Sequence, residues 1–509
     1  MVLRQRAGET PNILNDIPRG NRSKFLKDQI IPQAGFQKQE IIETHPSLDY
    51  DPKNPNGKIL IGSLGSRLIG LQDDRHIKTT AGNRSGKSVT VQSNLFFYDG
   101  SCFVVDPKGE HYNKTGLARV KRGQRAIGLD PFDRARGDVR QYRGRYNPIM
   151  RLKINDPAVI EKAMLISDGI VMETGQEKDP HWNEASKAVI LGLILYTRFG
   201  SNIEEENRHL GTVRDLIAIA RRQAVDENGE KSYVLLNRMK AGIGHLKAKQ
   251  LRLYNNIKNN ILSLYEASRE EMPGILSTMK RHTVFLEFES MRDVMSGHDF
   301  ELEDLKSTKN GLSVYLILPA GRMGSCNRWL RIMLNLLIDA MEVEETEPHA
   351  PVLAILDEFP VLGHMSQLQD AVGQMAGFGL KLWFVLQDEG QGKSLYGDRW
   401  ESFAANCGVT QWFANVDLTT TEYLSKSLGQ TPVMSVRMQD STYDQHERGG
   451  QGRSIDTQMY PLMMPDEISR YFARDDRYKR QLIRIAGKHP MIIQRVEWWN
   501  KDAPYSQYF

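Results

Sequence analysis

The sequence predicts an α/β fold with a parallel, doubly covered sheet that is interrupted by a long all-α segment. Short apolar runs alternate with helical patterns on both sides of residues 151–300, and such alternation favours a parallel sheet. Within 151–300 the strand patterns nearly vanish and long helical patterns dominate. A glycine-containing loop of the phosphate-binding type precedes a helical pattern near residue 85. We therefore expect a nucleotide-binding α/β domain with an inserted all-α domain.

Pattern and composition divide the chain into predicted domains. Residues 1–57 lack clear periodicity and predict an N-terminal arm that is partly disordered or lies on another subunit. Residues 58–150 and 301–509 are predicted to form the nucleotide-binding domain, and residues 151–300 the all-α domain. Residues 433–456 are polar and rich in Ser, Gln, Asp and Gly, which predicts a long loop.

Each predicted strand is a short apolar run bounded by turn residues or charges. The predicted strands are Ser101–Val105, Arg125–Leu129, Leu312–Leu318, Val352–Leu356 and Leu380–Leu386. The predicted helices include Ala158–Val171, Glu184–Tyr196, Asn327–Met341 and His364–Ala376. His76–Thr80, which precedes the phosphate-type loop, is short and polar and predicts only a weak strand.

Composition excludes several classes of protein. Cys102, Cys326 and Cys407 form no CxxC pair, which argues against a zinc site and a disulfide framework. No signal peptide is visible, and no run of about 18 apolar residues predicts a membrane span. The net charge of +4 is small for 509 residues, so a nucleic-acid surface would have to come from local charge. We expect a cytoplasmic protein.

The first functional motif is a phosphate-binding loop. It runs Ala81-Gly82-Asn83-Arg84-Ser85-Gly86-Lys87-Ser88 and matches G-x-x-x-x-G-K-[ST] except for its first residue. Glycines let successive backbone N–H groups point at phosphate oxygens, and the helix that follows adds its positive end. Lys87 is predicted to reach the β- and γ-phosphates of ATP, and the Ser88 hydroxyl to bind Mg²⁺.

The second motif is a hydrophobic strand that ends in two acids, Asp357 and Glu358. Such a pair often marks only a solvated strand end, but together with the loop it fits the Walker B half of one site. Asp357 is predicted to hold Mg²⁺, and Glu358 to act as the general base for the attacking water.

Two further strand ends fall on the same predicted edge of the sheet. Gln387 follows Leu380–Leu386, where an amide could sense the γ-phosphate, orient water or simply cap a loop. Asp106–Glu110 (DPKGE) follows Ser101–Val105 and fits a role near nucleotide or a plain strand-to-helix turn equally well.

Basic residues concentrate in two tracts. Lys114–Arg145 holds ten Lys or Arg against three Asp, and Lys231–Tyr265 holds seven against no acid. Phosphate backbones are bound by such tracks, although a solvated helix face gives the same pattern.

The ordered set of short motifs resembles the type IV secretion coupling proteins, the conjugative DNA-transfer ATPases of the TraG/TraD kind. The resemblance covers the chain from about residue 58 to its end. Its marks are Arg84–Lys87, Val105–Glu110, Leu129–Phe132, Tyr146–Pro148, His181-Trp182, Ile355–Pro360, Gln387-Asp388, Ala405–Cys407, Glu422–Ser425 and Pro461–Glu467.

The resemblance implies a RecA-like nucleotide-binding domain with a parallel-rich central sheet plus an inserted all-α domain. It implies a homo-hexamer that hydrolyses ATP with Mg²⁺ and moves DNA. The implied partners are a relaxase or other substrate protein, the single strand bound to the relaxase, and type IV secretion channel proteins. It also favours Gln387 as the γ-phosphate sensor.

The chain departs from the family in two respects that matter here. Members usually begin with transmembrane helices, so we expect either a membrane-free variant or a membrane partner in trans that holds the protein at the inner membrane. Met375–Gly379 stands where an arginine finger is expected, which leaves Arg322 and Arg328 as candidates. Two alternatives stay open: an FtsK/HerA-like DNA-processing translocase, and a nucleotide-binding recruitment platform with little turnover.

Overall fold

A computed structural model describes residues 34–172, 181–225, 227, 229–268, 270–438 and 453–509. Most of its strands form a single 11-stranded sheet, and two small hairpins stand apart from it. The strands are β1 Ile59–Leu64, β2 Arg67–Leu71, β3 His76–Ala81, β4 Cys102–Asp106, β5 Arg125–Leu129, β6 Gln223–Val225, β7 Lys231–Tyr233, β8 Leu312–Ile317, β9 Val352–Leu356, β10 Leu380–Leu386, β11 Cys407–Phe413, β12 Gln430–Met438, β13 Arg453–Pro461, β14 Arg480–Ile485 and β15 Met491–Gln494.

The sheet has a parallel part and an antiparallel edge. Its order is β2-β1-β15-β14-β11-β3-β10-β9-β4-β8-β5. The seven neighbouring strands β11-β3-β10-β9-β4-β8-β5 run parallel. The remaining strands, β14, β15, β1 and β2, pair antiparallel. The loops after β3, β10, β9, β4 and β8 therefore leave the sheet at one edge, where ligands bind in open α/β sheets.

Helices cover the sheet and fill the long segment between β5 and β8. They are α1 Gln39–Thr44, α2 Lys87–Phe97, α3 Glu110–Lys121, α4 Val159–Ile170, α5 His181–Phe199, α6 Leu210–Ile219, α7 Val234–Ile243, α8 Leu246–Lys249, α9 Leu251–Glu266, α10 Glu271–His282, α11 Glu289–Val294, α12 Asp304–Ser307, α13 Ala320–Val343, α14 Ser366–Ala371, α15 Glu389–Tyr396, α16 Trp400–Ala405, α17 Leu418–Ser427 and α18 Pro465–Tyr471. α5 carries a continuous buried apolar stripe and packs on α4, α9 and α10. The limits of an all-α domain at 151 and 300 stay a prediction, and the segment is not purely helical because the β6–β7 hairpin lies within it.

The predicted fold class is confirmed. The polar segment His76–Thr80, which precedes the phosphate-type loop, forms the full strand β3. β3 is buried at every position and lies between β10 and β11. Its polar side chains are satisfied inside the protein: Lys78 Nζ donates to Glu389 Oε1 at 2.7 Å, and Thr79 Oγ1 to Gln411 Oε1 at 2.7 Å. Buried polar groups are tolerated when they are hydrogen-bonded, so the expectation of a weak strand was wrong.

Two other predictions, the loop at residues 433–456 and the N-terminal arm, differ from the structure in the described residues. Residues 433–438 and 453–456, predicted as loop, belong to the β12–β13 hairpin, while residues 439–452 lie outside the described residues. Of the predicted N-terminal arm, residues 1–33 lie outside the described residues. The rest of the arm packs on this chain's own sheet, with Ile42 and Leu48 buried and a bridge from Asp49 to Ile69.

The long apolar helices belong to the protein core. Across the described residues, no helix combines the length and the hydropathy that a membrane crossing needs.

Candidate nucleotide-binding site

The predicted phosphate-binding loop lies between β3 and α2, at the carboxyl edge of the sheet. Gly86 is left-handed, with φ of 100°, and caps the start of α2. A side chain at Gly82 would collide with the carbonyl oxygen of Ala414 at the end of β11, so this position needs glycine for a close approach. Ser85 Oγ donates to the Gly82 carbonyl oxygen at 2.6 Å and closes the loop, while Asn83 and Arg84 are exposed.

Lys87 lies in the mouth of this loop. Its Nζ donates to the carbonyl oxygens of Ala81 at 2.6 Å and Gly82 at 3.0 Å. Burial lowers the pKa of Lys87, and the nearby carboxylates of Glu358 and Asp357 oppose that effect. The loop lysine and the two acids therefore share one electrostatic environment, as the motif spacing predicts.

An arginine from the far end of the chain supports the loop. Arg495, just after β15, is buried, and its Nη1 donates to the carbonyl oxygen of Ser85 at 2.8 Å. Its other nitrogens donate to the carbonyl oxygens of Lys479 and Arg474. The antiparallel edge of the sheet thus fixes the loop backbone, and no motif in the sequence points to this residue.

The strand β9 delivers Asp357 and Glu358 to the same edge. Glu358 adopts a left-handed conformation with φ of 56°, which a non-glycine residue rarely takes. The turn buries Phe359 against an aromatic cluster of Phe384, Tyr396, Trp400 and Phe403. Strain of this kind persists where packing enforces it and often marks a functional position.

The amide of Gln387, after β10, contacts the predicted base. Its Nε2 lies 3.2 Å from Glu358 Oε2, and its backbone carbonyl accepts a hydrogen bond from Asn415 Nδ2 at 3.3 Å. The structure therefore brings Lys87, Asp357, Glu358 and Gln387 together at the ends of three neighbouring strands, β3, β10 and β9.

A buried histidine joins this group. His111 Nε2 lies 3.0 Å from Asp357 Oδ2, and Asp106 at the end of β4 is buried beside it. Burial alone lowers the pKa of His111, but the carboxylates of Asp106 and Asp357 raise it above its ordinary value. The sequence placed DPKGE near the ligand edge but gave no signal for His111.

Oxygen ligands suitable for Mg²⁺ are present. Asp357 Oδ1 makes no hydrogen bond within the described residues, and the Ser88 hydroxyl stands at the start of α2. Mg²⁺ prefers one or two protein oxygens together with water and substrate phosphates. The donor set therefore fits the predicted metal.

The two basic tracts differ in structure. In the first, Arg119 is fully buried and donates to three backbone carbonyls and Ser313, while Arg140 and Arg143 pair with Asp133. Much of that tract supports the fold. In the second, the exposed side chains include Lys231, Lys240, Lys247 and Lys249, for which no carboxylate lies within 4.0 Å among the described residues.

Comparisons with known proteins agree with this arrangement. A family model described as type IV secretory system conjugative DNA transfer matches residues 21–507. The conjugal transfer protein TraG of Escherichia coli is 26% identical over 452 residues, which cover 85% of this chain and 68% of TraG. Protein VirD4 of Agrobacterium fabrum is 23% identical over 456 residues, which cover 87% of this chain and 62% of VirD4.

The fold is that of solved coupling-protein structures. The bacterial conjugative coupling protein TrwBdeltaN70 matches with a TM-score of 0.60 at 15% identity, over 86% of this chain and 88% of that one. TrwB in complex with ADP and Mg²⁺ matches with a TM-score of 0.62 at 13% identity, over 92% and 94%. The RecA-like nucleotide-binding fold is thereby confirmed.

Proposed function

The chain belongs to the type IV secretory system conjugative DNA transfer family, and from this premise we propose that it is an ATP-driven coupling protein. It recruits DNA, as a relaxase-bound single strand, and translocates it to a secretion or conjugation channel. The observation that carries the proposal is the meeting of Lys87, Asp357, Glu358 and Gln387 at one sheet edge.

Each residue at this edge has a role in the proposed hydrolysis. Backbone N–H groups of residues 81–88 and the Lys87 ammonium hold the phosphates. Glu358 accepts a proton from the attacking water, and Gln387, hydrogen-bonded to Glu358, responds to the γ-phosphate. Ser88 and Asp357 hold Mg²⁺, which when bound neutralises charge on the phosphates.

A neighbouring subunit completes the site in a homo-hexamer, and Arg322 is the better of the two arginines for that role. Arg322 is exposed at the start of α13, directly after β8, on the carboxyl edge of the sheet. The Arg328 guanidinium instead lies 3.2 Å from His282 Nδ1, and burial and Arg281 lower its pKa. An exposed guanidinium at this edge is free to contact a second copy of the chain, whereas the Arg328 guanidinium already packs against His282 of α10.

The exposed lysines of the second basic tract provide a phosphate-binding surface for the transported DNA. A substrate protein such as a relaxase and the channel proteins are the protein partners, and docking at the inner membrane occurs through one of them. The expected signature of such a surface is an affinity for DNA that falls steeply as salt is added.

Steady-state ATP hydrolysis by the purified chain, with and without single-stranded DNA, tests the proposal. We expect DNA to stimulate turnover, and we expect Lys87→Ala and Glu358→Gln to abolish it, with Glu358→Gln still binding ATP. Lys501→Ala, an exposed lysine outside both basic tracts, is the matched control. Turnover retained in both site variants would overturn the proposal, and nucleotide binding without turnover would indicate a recruitment platform instead.

The finger is tested by mixing subunits. Arg322→Ala should lower turnover by about 10³-fold, and adding Lys87→Ala subunits, which keep Arg322, should restore part of it. Equal activity of Arg322→Ala and wild type would exclude Arg322.

A further inference from the structure

The end of β4 places a buried histidine against the proposed metal-binding acid. β4 and β9 are neighbours, with Val105 paired to Leu356, so Asp106 and Asp357 leave the sheet side by side. His111, in the first turn of α3, is 1% exposed, and its Nε2 lies 3.0 Å from Asp357 Oδ2. The contact joins residues that are 246 positions apart in the sequence.

The direction of this hydrogen bond follows from the chemistry of the two groups. An ionised carboxylate only accepts hydrogen bonds, so Nε2 carries a proton and donates a hydrogen bond to Oδ2. Both the neutral Nε2–H tautomer and the imidazolium can do so. Asp357 Oδ1 makes no hydrogen bond within the described residues and is left for the metal side.

Asp106 fixes the start of α3, the helix that carries His111. Its Oδ2 accepts the backbone N–H of Tyr112 at 2.9 Å, and its Oδ1 that of Lys108 at 3.4 Å. Asp106 thereby holds the first turn of α3, which carries His111, against the strand ends. Removal of the imidazole would leave two buried carboxylates without a group between them.

The other imidazole nitrogen, Nδ1 of His111, is buried and has no hydrogen-bond partner in the described part of the chain. An orphaned buried polar atom costs stability, so the hydrogen-bonding contact of the ring with the described residues is made through Nε2 alone.

We propose that His111 is a positioning residue for the metal-binding carboxylate of Asp357. It occupies Oδ2 and fixes the carboxylate plane, which leaves Oδ1 as the oxygen that would hold Mg²⁺ when nucleotide is bound. The proposal rests on the proposed function only in taking Asp357 as the residue that holds Mg²⁺. Partners that orient metal ligands in this way typically contribute about 10- to 100-fold to metal affinity.

Two substitutions test whether the hydrogen bond to Asp357 matters or only the imidazole ring itself. In His111→Gln the amide nitrogen can take the place of Nε2 and donate to Asp357, whereas in His111→Asn the shorter amide cannot reach. The readout is the affinity of the full chain for a fluorescent ADP analogue, titrated once with Mg²⁺ and once with EDTA. Mn²⁺ electron paramagnetic resonance on the same samples reports the metal directly.

We expect His111→Asn to lose about tenfold or more of the Mg²⁺-dependent gain in affinity, with the EDTA affinity unchanged. His111→Gln should restore most of the gain. A wild-type Mg²⁺ response in His111→Asn overturns the proposal, and so does an equal loss in Mg²⁺ and in EDTA, which would indicate general damage to the loop.

Thermal unfolding guards against a folding defect. If His111→Asn does not fold, His111→Leu keeps the volume without the donor, and its comparison with His111→Gln decides the same question. Wild-type protein that binds Mg²⁺–ADP but never hydrolyses ATP would contradict the proposed function and leave the role of His111 intact. Wild-type protein without any Mg²⁺-dependent binding would overturn both.

Discussion

The amide nitrogen of Gln387 lies 3.2 Å from Oε2 of Glu358, and the two residues follow neighbouring strands, β10 and β9. Glu358 has a left-handed backbone, so its carboxylate is turned towards Gln387 while Phe359 is buried. The geometry links the residue proposed to activate water with the residue proposed to sense the γ-phosphate.

Gln387→Ala should reduce kcat by about 10²-fold while ATP affinity changes little, because the loop and Lys87 hold the phosphates and the amide contacts the base. Gln387→Glu should place two like charges side by side, and we expect it to lower kcat at least as much as Gln387→Ala does. Single-turnover hydrolysis and ATP binding are measured separately. Gln374→Ala, an exposed residue after α14, is the control, and unchanged kcat in Gln387→Ala would contradict the link.

Gly82→Ala should disrupt the phosphate-binding loop. The new methyl would meet the Ala414 carbonyl, and overpacking of this kind costs about 1–3 kcal/mol. We expect a lower unfolding temperature together with weaker ADP binding. Gly321→Ala, in the first turn of α13 with open space around it, should be neutral or stabilising. Equal behaviour of the two variants would show that the approach to Ala414 does not constrain the loop.

Arg495→Ala should weaken nucleotide binding from a distance. It removes the donor to the Ser85 carbonyl, and a hydrogen bond to a charged group contributes about 1.5–3 kcal/mol. Urea unfolding and ADP titration check both effects. Arg477→Ala, an exposed arginine on the same part of the chain, should change stability by less than about 0.5 kcal/mol. An Arg495→Ala protein with wild-type ADP affinity would show that the support is not needed.

Glu389→Leu should destabilise the protein by about 3–5 kcal/mol, because it leaves the Lys78 ammonium buried without its partner. Lys78→Met combined with Glu389→Leu should recover much of that loss. Burial opposes ionisation of Glu389, but Lys78 and the indole N–H groups of Trp400 and Trp412 hold its pKa below the ordinary value.

The lowered pKa of Glu389 in the folded state determines how the free energy of unfolding depends on pH. The contribution of Glu389 to stability is present above about pH 4.3, its unfolded value, and is lost as the pH falls through the lower folded value. Urea midpoints of wild type and Glu389→Gln should therefore converge in acid. A constant difference between them down to low pH would exclude this assignment.

The parts of the fold that local patterns encode were predictable. β9 and β10 are apolar, buried strands, and their observed limits agree with the predicted ones. The loop residues 81–88 and the acids Asp357 and Glu358 carry enough chemistry at fixed spacing to be recognised without tertiary information.

The parts of the fold and of the site that depend on partners distant in sequence could not be predicted. β3 is rich in polar side chains, and its burial is explained by hydrogen-bond partners distant in sequence such as Glu389 and Gln411. His111 becomes meaningful through Asp357, 246 residues away, and Arg495 through Ser85, 410 residues away. No motif in the sequence points to His111 or Arg495, because the residues that they contact lie far away in the chain.

The distance between the loop and Arg495 also sets an order of events during synthesis. A ribosome that adds roughly 5–20 residues per second makes Ser85 about 20–80 s before it makes Arg495, 410 residues later. β8 likewise pairs with β5 only after the helical segment between them has been translated. Throughout that interval the nascent chain carries the phosphate-binding sequence without the hydrogen bond from Arg495 that holds its backbone in the folded protein.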